Sequence, residues 1–137
     1  MRCQGVKLSD CFANSFCLSA DVSNAFDPNW PETCDKRNNS QLNYGVAICK
    51  YTGSRGKGGA SDASAEAMGH VRSTLDKAGV IWQIATLGKV DQGGGGTVAA
   101  YMANRNIVTV DAACRCSACT RRWSWSPSWT AMRHIKV

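Results

Sequence analysis

The sequence lacks the features that mark membrane, secreted and disulfide-stapled proteins. No apolar run in its 137 residues approaches the roughly 20 residues that a membrane-spanning helix needs. The opening segment, MRCQGVKLSD, contains no apolar core of a secretory signal. Five of the eight cysteines lie before residue 50 with no repeating spacing, and we interpret these five as ordinary reduced thiols. These absences predict a cytoplasmic protein with no membrane partner.

Acidic residues are missing from the end of the chain. The last 26 residues contain five basic residues and no acid, whereas residues 1–111 carry 11 Lys and Arg against 10 Asp and Glu. The formal net charge of +6 therefore belongs to the end of the chain and not to its body. A basic protein invites a nucleic-acid interpretation. This uneven distribution removes most of the support for it, and we predict no nucleic-acid partner.

Apolar runs alternate with turn-rich and helix-like segments, a pattern typical of an α/β fold. The segment SFCLSAD predicts a short buried strand, Phe16–Leu18, that delivers Asp21 to a loop. The following DPNWPETCDKRNNSQLN is rich in turn formers and predicts a long loop, of a length that is usually functional or disordered. Further strands are predicted in YGVAICKYT, in VIWQIAT and in NIVTVD, which ends at Asp111. We expect a central sheet flanked by helices.

The longest predicted helix follows a glycine-rich segment, GSRGKGGASDAS, which does not match the phosphate-loop pattern and which we interpret as a mobile connection. Ser61 or Asp62 can cap this helix, and Gly79 ends it. His70 has no second ligand-type residue at i+4, so we interpret it as a plain helix residue. The apolar face of the helix, at helical spacing, is formed by Met68, Val71 and Leu75.

A second glycine-rich segment, GKVDQGGGGT, predicts a tight turn before the short helix TVAAYMANR. Four consecutive glycines allow close approach of the backbone to a ligand, and a flexible loop is the alternative. Asp21, this turn and Asp111 all follow predicted strands. Because sites in α/β folds lie at the carboxyl ends of strands, the pattern is consistent with one sheet edge that carries chemistry.

Several long motifs, in one order, make the chain recognisable. They are LSADVSNAFDPNWPE, DKRNNSQLNYGV, KYTGSRGKGGASDASAE, WQIATLGKVDQGGGGTVAAYMANRNI and VDA. From about Phe16 to Ala112 the sequence resembles the C-terminal part of the M18 family of zinc aminopeptidases. The resemblance implies a fragment of a zinc-exopeptidase-like catalytic domain with an α/β fold. It also implies peptide substrates, two zinc ions per site and, in intact members, homo-oligomers that are usually dodecamers.

The resemblance assigns roles to a few residues. The Asp of the family's S-A-D motif is a zinc ligand, which implies this role for Asp21, and a carboxylate suits a metal that activates water. Gly95, Gly96 and Thr97 are implied to line the substrate side. The family's first metal-ligand His, bridging Asp, general-base Glu and neighbouring Glu ligand precede the region that is similar. We therefore expect a fragment that is catalytically inert by itself.

The end of the chain departs from the family pattern. After V-D-A the family continues with a segment similar to G-V-P-V-L-S-M-H-A-P, whose His is the last zinc ligand, whereas this chain has ACRCSACTRR. A family-like A-G-V-P-V-L-S-M-H-A-P, written in chosen codons with one G removed from the glycine codon GGC, translates as residues 112–122. The same frame continues through residues 123–136. We therefore predict a frameshifted tail, 112–137, on a peptidase region, 1–111, with Thr120 at the ligand His position.

An alternative interpretation treats the tail as selected polypeptide. Cys114, Cys116 and Cys119, with His134 as a fourth ligand, could bind zinc. The basic residues and tryptophans around them could then bind single-stranded nucleic acid by charge and stacking. A small basic zinc- or nucleic-acid-binding protein is the second hypothesis. Against it, the segment has no second ligand pair at zinc-finger spacing, and it begins where the family resemblance breaks.

Overall fold

A computed structural model of the chain describes residues 5–54, 58–89, 92, 94–95 and 97–116. Within these ranges no helix is both long enough and apolar enough to cross a bilayer. The helices are α1 (Leu8–Ala13), a 3-10 turn (Pro31–Thr33), α2 (Ala65–Lys77) and α3 (Val98–Ala103). The strands are β1 (Phe16–Asn24), β2 (Val46–Cys49), β3 (Tyr51–Ser54), β4 (Gly58–Asp62), β5 (Trp82–Ile84), β6 (Gly94–Gly95) and β7 (Val108–Cys116).

The main sheet has four strands in the order β1-β7-β2-β5. Strand β7 runs parallel to β1 from the pair Phe16–Val108 to the pair Asn24–Cys116, and it runs antiparallel to β2. Strands β2 and β5 are parallel to each other. Helix α2 packs against β7, and α3 packs against β7 and β1. The predicted α/β class, a central sheet flanked by helices, is confirmed.

The prediction of a short buried strand before a loop at Asp21 was wrong. Strand β1 continues to Asn24 because β7 pairs with it along its whole length, so Asp21 lies inside the strand. Strand β1 is also an edge strand among those described. Its alternate side chains Phe16, Leu18 and Val22 are about half exposed, at 47%, 50% and 55%. Likewise β7 does not end at Asp111 but continues to Cys116.

A second, three-stranded antiparallel sheet has the order β4-β3-β6. The predicted single strand YGVAICKYT is divided at Lys50, because β2 belongs to the main sheet and β3 to the second. Lys50 forms an ion pair with Asp62, and its Nζ donates to the carbonyl of Ala63 at 3.3 Å. The glycine-rich segment was predicted to be a mobile connection. It instead contributes to the paired strands β3 and β4, which flank residues 55–57. These three residues lie outside the described part of the chain.

Helix α2 closes the core over the main sheet. Its N-cap is Ser64 and not Ser61 or Asp62, since the Ser64 side chain accepts a hydrogen bond from the Ala67 N–H at 3.2 Å. Gly79 follows the helix with a φ of +65°, as predicted. His70 is exposed on the helix, and its ring meets the Phe16 ring edge-on at 5.9 Å between centroids. The buried cluster consists of Ile48, Ala63, Ala67, Met68, Val71 and Val110, with Leu75 and Trp82 packed against it.

The entry to β2 requires glycine. Gly45 has a φ of +77°, and a Cβ at this position would lie far inside the van der Waals radius of the Ile81 carbonyl oxygen. The same carbonyl accepts a hydrogen bond from the Val46 N–H at 3.1 Å. The close approach therefore starts the pairing of β2 with β5.

We expect Gly45→Ala to lower the free energy of unfolding by about 2–4 kcal/mol, because the substitution adds a left-handed backbone penalty to a clash with backbone. Gly69→Ala is the matched control. Gly69 lies inside α2 with open space around its Cβ position, so the same change should raise stability by about 0.5–1 kcal/mol. Urea unfolding followed by circular dichroism measures both. Equal effects of the two substitutions would contradict this assignment.

Candidate functional site

The carboxylate of Asp21 lies on the surface of the main sheet. The residue is exposed, and its Oδ1 accepts a hydrogen bond from the Val22 N–H at 2.7 Å. In the register of the parallel pair, Asp21 stands opposite Ala113 of β7. Strand β1 pairs with β7 both before and after Asp21, the residue assigned from the S-A-D motif. A strand, and not a loop, therefore holds this residue in place.

A second carboxylate, that of Asp111, shares the same face of the sheet. Asp111 is 4% exposed and stands opposite Ser19, two positions before the Asp21 level. Residues in register point to the same face, and so do residues i and i+2 of one strand. The Cα atoms of Asp21 and Asp111 are therefore about 8 Å apart, from the strand spacing and the rise per residue. Sequence reasoning placed both residues after strands, whereas the structure places both within strands.

The described residues do not form a complete metal centre. No group of three or more His, Cys, Asp and Glu side chains within the described part of the chain is arranged to hold a metal ion. Of the residues that the structure describes, Asp21 is the one that the family resemblance assigns as a metal ligand. One carboxylate fits a single coordination position of a zinc ion, which takes three or four protein ligands.

The glycine-rich turn belongs to the second sheet. Gly95 pairs with Gly53 of β3, and Gly96 lies outside the described residues. Thr97 caps α3, because its side chain accepts a hydrogen bond from the Ala99 N–H at 3.1 Å. The Thr97 hydroxyl therefore has a structural role at the start of a helix that packs against β1 and β7.

The tail residues singled out by sequence lie mostly beyond the described part of the chain. Thr120, Cys119 and His134 are outside it. The backbones of Cys114 and Cys116 belong to β7 and stand opposite Val22 and Asn24. The structure therefore continues the main sheet for five residues past Asp111.

The long loop after β1 is held by hydrogen bonds from and to its backbone groups. The Phe26 N–H donates to the Ser40 carbonyl at 2.7 Å, and the Ser40 Oγ donates to the Asn24 carbonyl at 3.1 Å. Oδ1 of Asp35 accepts from the N–H groups of Arg37 and Asn38 at 2.8 and 3.2 Å. An Asp followed by turn-forming residues, as at Asp35, is typical of such an Asx turn and is the signal that could have predicted an ordered loop.

This loop forms one wall of a partly open cavity that sequence reasoning missed. The cavity has a volume of about 270 Å³. Three segments that are distant in sequence meet there, namely the end of β1, the loop and the residues after β5. Among the described residues that line it there is no Asp, Glu, Lys or Arg. The polar and apolar lining includes Asn24, Phe26, Cys34, Asn39, Ser40 and Thr86.

The chain matches known proteins over most of its length. The sequence model of the family described as "Aminopeptidase I zinc metalloprotease (M18)" matches residues 3–118. A curated relative, the probable M18 family aminopeptidase 1 of Clostridium acetobutylicum, is 50% identical over 106 residues, which cover 77% of this chain and 23% of the relative. The crystal structure of the M18 aminopeptidase of Thermotoga maritima is 46% identical with a TM-score of 0.73, covering 79% of this chain and 24% of that one.

A more distant structure has the same fold. The mApe1 dodecamer of Saccharomyces cerevisiae is 23% identical with a TM-score of 0.59, covering 83% of this chain and 23% of that chain. Because the family model matches well over half of the sequence, this chain belongs to the M18 aminopeptidase family. The chain spans about a quarter of the length of the curated relatives that it matches.

We expect Ser40→Ala to lower the free energy of unfolding by about 1–3 kcal/mol, because the hydroxyl is buried and donates to a backbone carbonyl. The loss should be local to the end of β1, with faster hydrogen exchange at Phe26. Ser73→Ala, at an exposed position of α2, is the control and should be neutral or slightly stabilising. Unchanged stability and exchange in the Ser40 variant would contradict the role given to this hydrogen bond.

Proposed function

We propose that the chain carries the C-terminal part of the catalytic domain of a zinc aminopeptidase, which removes N-terminal amino acids from peptides. The match of the M18 family over residues 3–118 is the observation that carries this proposal. The position of Asp21 supports it, since the S-A-D motif lies within a regular strand, β1, that pairs with β7 along its whole length. A second carboxylate, Asp111, lies on the same face one strand away.

Asp21 would supply one ligand of a two-zinc site. Its carboxylate is a hard oxygen donor, is exposed at the sheet surface and is oriented by the hydrogen bond from the Val22 N–H. When bound, zinc in such sites activates a water molecule and polarises the scissile carbonyl. The contribution of this chain is then to hold the carboxylate in place by the pairing of β1 with β7. Gly95, Gly96 and Thr97 are proposed to line the substrate side.

The chain by itself should not turn over peptides. In the family the general-base Glu and most metal ligands precede the region that is similar to this chain, and no residue here is assigned a catalytic role. Within the described residues, only Asp21 is carried over as a ligand. In the family the intact enzyme is a cytoplasmic homo-oligomer. The name of the yeast structure, which describes a dodecamer, supports a dodecamer for the intact form.

The tail is proposed to be a frameshifted segment. The boundary after Asp111 rests on the change in charge, the clustering of cysteine and tryptophan, and the reading-frame argument. In this interpretation Thr120 occupies the position of the family's last zinc ligand, a His. The peptidase region is then residues 1–111, and residues 112–137 replace the family's own final segment.

Purified chain with added zinc should hydrolyse leucine p-nitroanilide no faster than the zinc-containing buffer. The aminopeptidase of Thermotoga maritima in the same assay is the positive control. Sustained turnover by the chain would contradict the proposed inactivity, and an Asp21→Asn variant would then show whether the activity depends on this carboxylate. Activity that survives Asp21→Asn would contradict the ligand assignment as well.

Resequencing of the gene from the codons for Ile107 past the stop tests the tail. We expect one additional G near the codons for Ala112 and Ala113, which would restore a glycine and the ligand His of the family pattern. A confirmed absence of that base would mean that the tail is real polypeptide. Zinc bound stoichiometrically to it, and lost on substitution of Cys114, Cys116 and Cys119 by Ser, would then favour the alternative function.

A further inference from the structure

The outer edge of β1, on the side away from β7, is open over part of its length. The Ser15 carbonyl accepts a hydrogen bond from the Val108 N–H at 3.3 Å, so it points towards β7. Backbone groups of successive residues in a strand point to alternate sides. The N–H and C=O groups of Phe16, Leu18 and Ala20 therefore point away from β7, where no other described strand pairs with them.

Beyond Ala20 the same edge is already in use. The Val22 N–H donates to Oδ1 of Asp21 at 2.7 Å, and the Asn24 carbonyl accepts from the Ser40 hydroxyl at 3.1 Å. The loop after β1 thus covers the end of the strand. The open stretch of the edge therefore ends at the carboxylate of Asp21.

This stretch carries none of the features that keep edge strands from pairing. Edge strands are usually protected by lysine, by proline or by a bulge. The segment FCLSA, residues 16–20, contains no lysine or proline, and its register with β7 is regular. Phe16 and Leu18 are 47% and 50% exposed on one face of the sheet. The edge is therefore a template for one more strand that has apolar side chains on this face.

The tail of the chain starts beside this edge. Strand β7 ends at Cys116, which stands opposite Asn24, and residues 117–137 lie outside the described part of the chain. The distance from Cys116 to the outer edge at the level of Asp21 is about 14 Å, which is two strand spacings across and three residues back. The six peptide units that lead to Arg122 span up to about 20 Å. A tail that turns here would run antiparallel to β1.

The tail sequence complements the open edge in this direction. The run 122–125, RWSW, alternates polar and apolar residues as a half-buried strand does. An antiparallel alignment with β1 gives four pairs, which are Arg122 with Asp21, Trp123 with Ala20, Ser124 with Ser19 and Trp125 with Leu18. Opposite charges, paired hydroxyls and aromatic side chains beside apolar ones all stabilise adjacent strands. Pro127 then falls opposite Phe16, where its missing N–H ends the pairing.

We propose that residues 122–125 dock on the open edge of β1 as a fifth, antiparallel strand of the main sheet, with Arg122 beside the carboxylate of Asp21. The occupant of the edge is thus the chain's own tail and not a second copy of the chain. Docking would also occupy the carboxylate that the family resemblance assigns to zinc, so the tail would act as an internal block of this ligand. The inference does not depend on aminopeptidase activity, and it concerns the polypeptide that this sequence encodes.

Amide hydrogen exchange of the full chain, followed residue by residue by NMR, tests the pairing. The N–H groups of Leu18 and Ala20 should be protected, and the double substitution Trp123→Ser and Trp125→Ser should speed their exchange by about tenfold or more. Trp129→Ser removes a tryptophan beyond the aligned run and is the matched control, which should leave both rates unchanged. The Ser19 N–H points towards β7 and reports in every variant whether the sheet itself is intact.

A zero-length cross-link tests the contact at Asp21 without removing any tryptophan. In Arg122→Lys the introduced amine should lie beside the Asp21 carboxylate, and a carbodiimide should join the two groups as an amide within one chain. Arg121→Lys is the matched control, because a side chain one residue earlier on a strand points to the opposite face. Mass spectrometry of tryptic peptides should find the cross-link to Asp21 mainly in the Arg122 variant.

Several results would overturn the proposal. They are fast exchange at Leu18 and Ala20 in the unaltered chain, protection that survives the double tryptophan substitution, and equal cross-linking of the two lysine variants. Protection that rises with protein concentration, together with a dimer in sedimentation, would mean that a second copy occupies the edge instead. If loss of protection at Ser19 shows that the double variant does not fold, the cross-link decides alone.

Discussion

The structure depends on the insertion of β7 between β1 and β2. This strand contacts both α2 and α3 and strands of both sheets. Its side chain Val110 is fully buried within the cluster that α2 covers. Without β7, strand β1 and the β2–β5 pair would have no common neighbour, because β1 pairs with no other described strand. The main sheet is thus held together by one strand whose partner strands, β1 and β2, lie far away in sequence.

The candidate site follows from the same insertion. Parallel pairing with β7 extends β1 beyond the apolar residues at its start. Asp21 therefore lies within the strand, and its carboxylate remains at the sheet surface. It also brings Asp111 to the same face. The extended strand ends at Asn24, where the Ser40 hydroxyl fixes the carbonyl and begins the cavity wall. The exposed carboxylate of Asp21 and the cavity residue Asn24 therefore lie on one strand, three residues apart.

Local patterns predicted the local features well. The apolar spacing of Met68, Val71 and Leu75, followed by Gly79 at the end of the helix, correctly predicted α2. Helix periodicity can be predicted in this way because it depends only on residues that are close together in sequence. The family was recognisable from motifs and is confirmed. The extent of β1, the division at Lys50 and the cavity were not predictable in this way. Each is decided by pairing or closure between segments that are tens of residues apart, which no local pattern records.

The position of β7 in the sequence also determines when this region can fold during its synthesis on the ribosome. The first pair of the β1–β7 ladder joins Phe16 to Val108, so nearly the whole described chain must be synthesised before the ladder can form. Folds dominated by such distant contacts form slowly, and their apolar strands are exposed to solvent and to chaperones in the meantime. During synthesis β1 has emerged with Phe16, Leu18 and Val22 uncovered long before its neighbour exists. The yield of folded protein should therefore respond more to translation rate and chaperone supply than that of a helical protein of equal length.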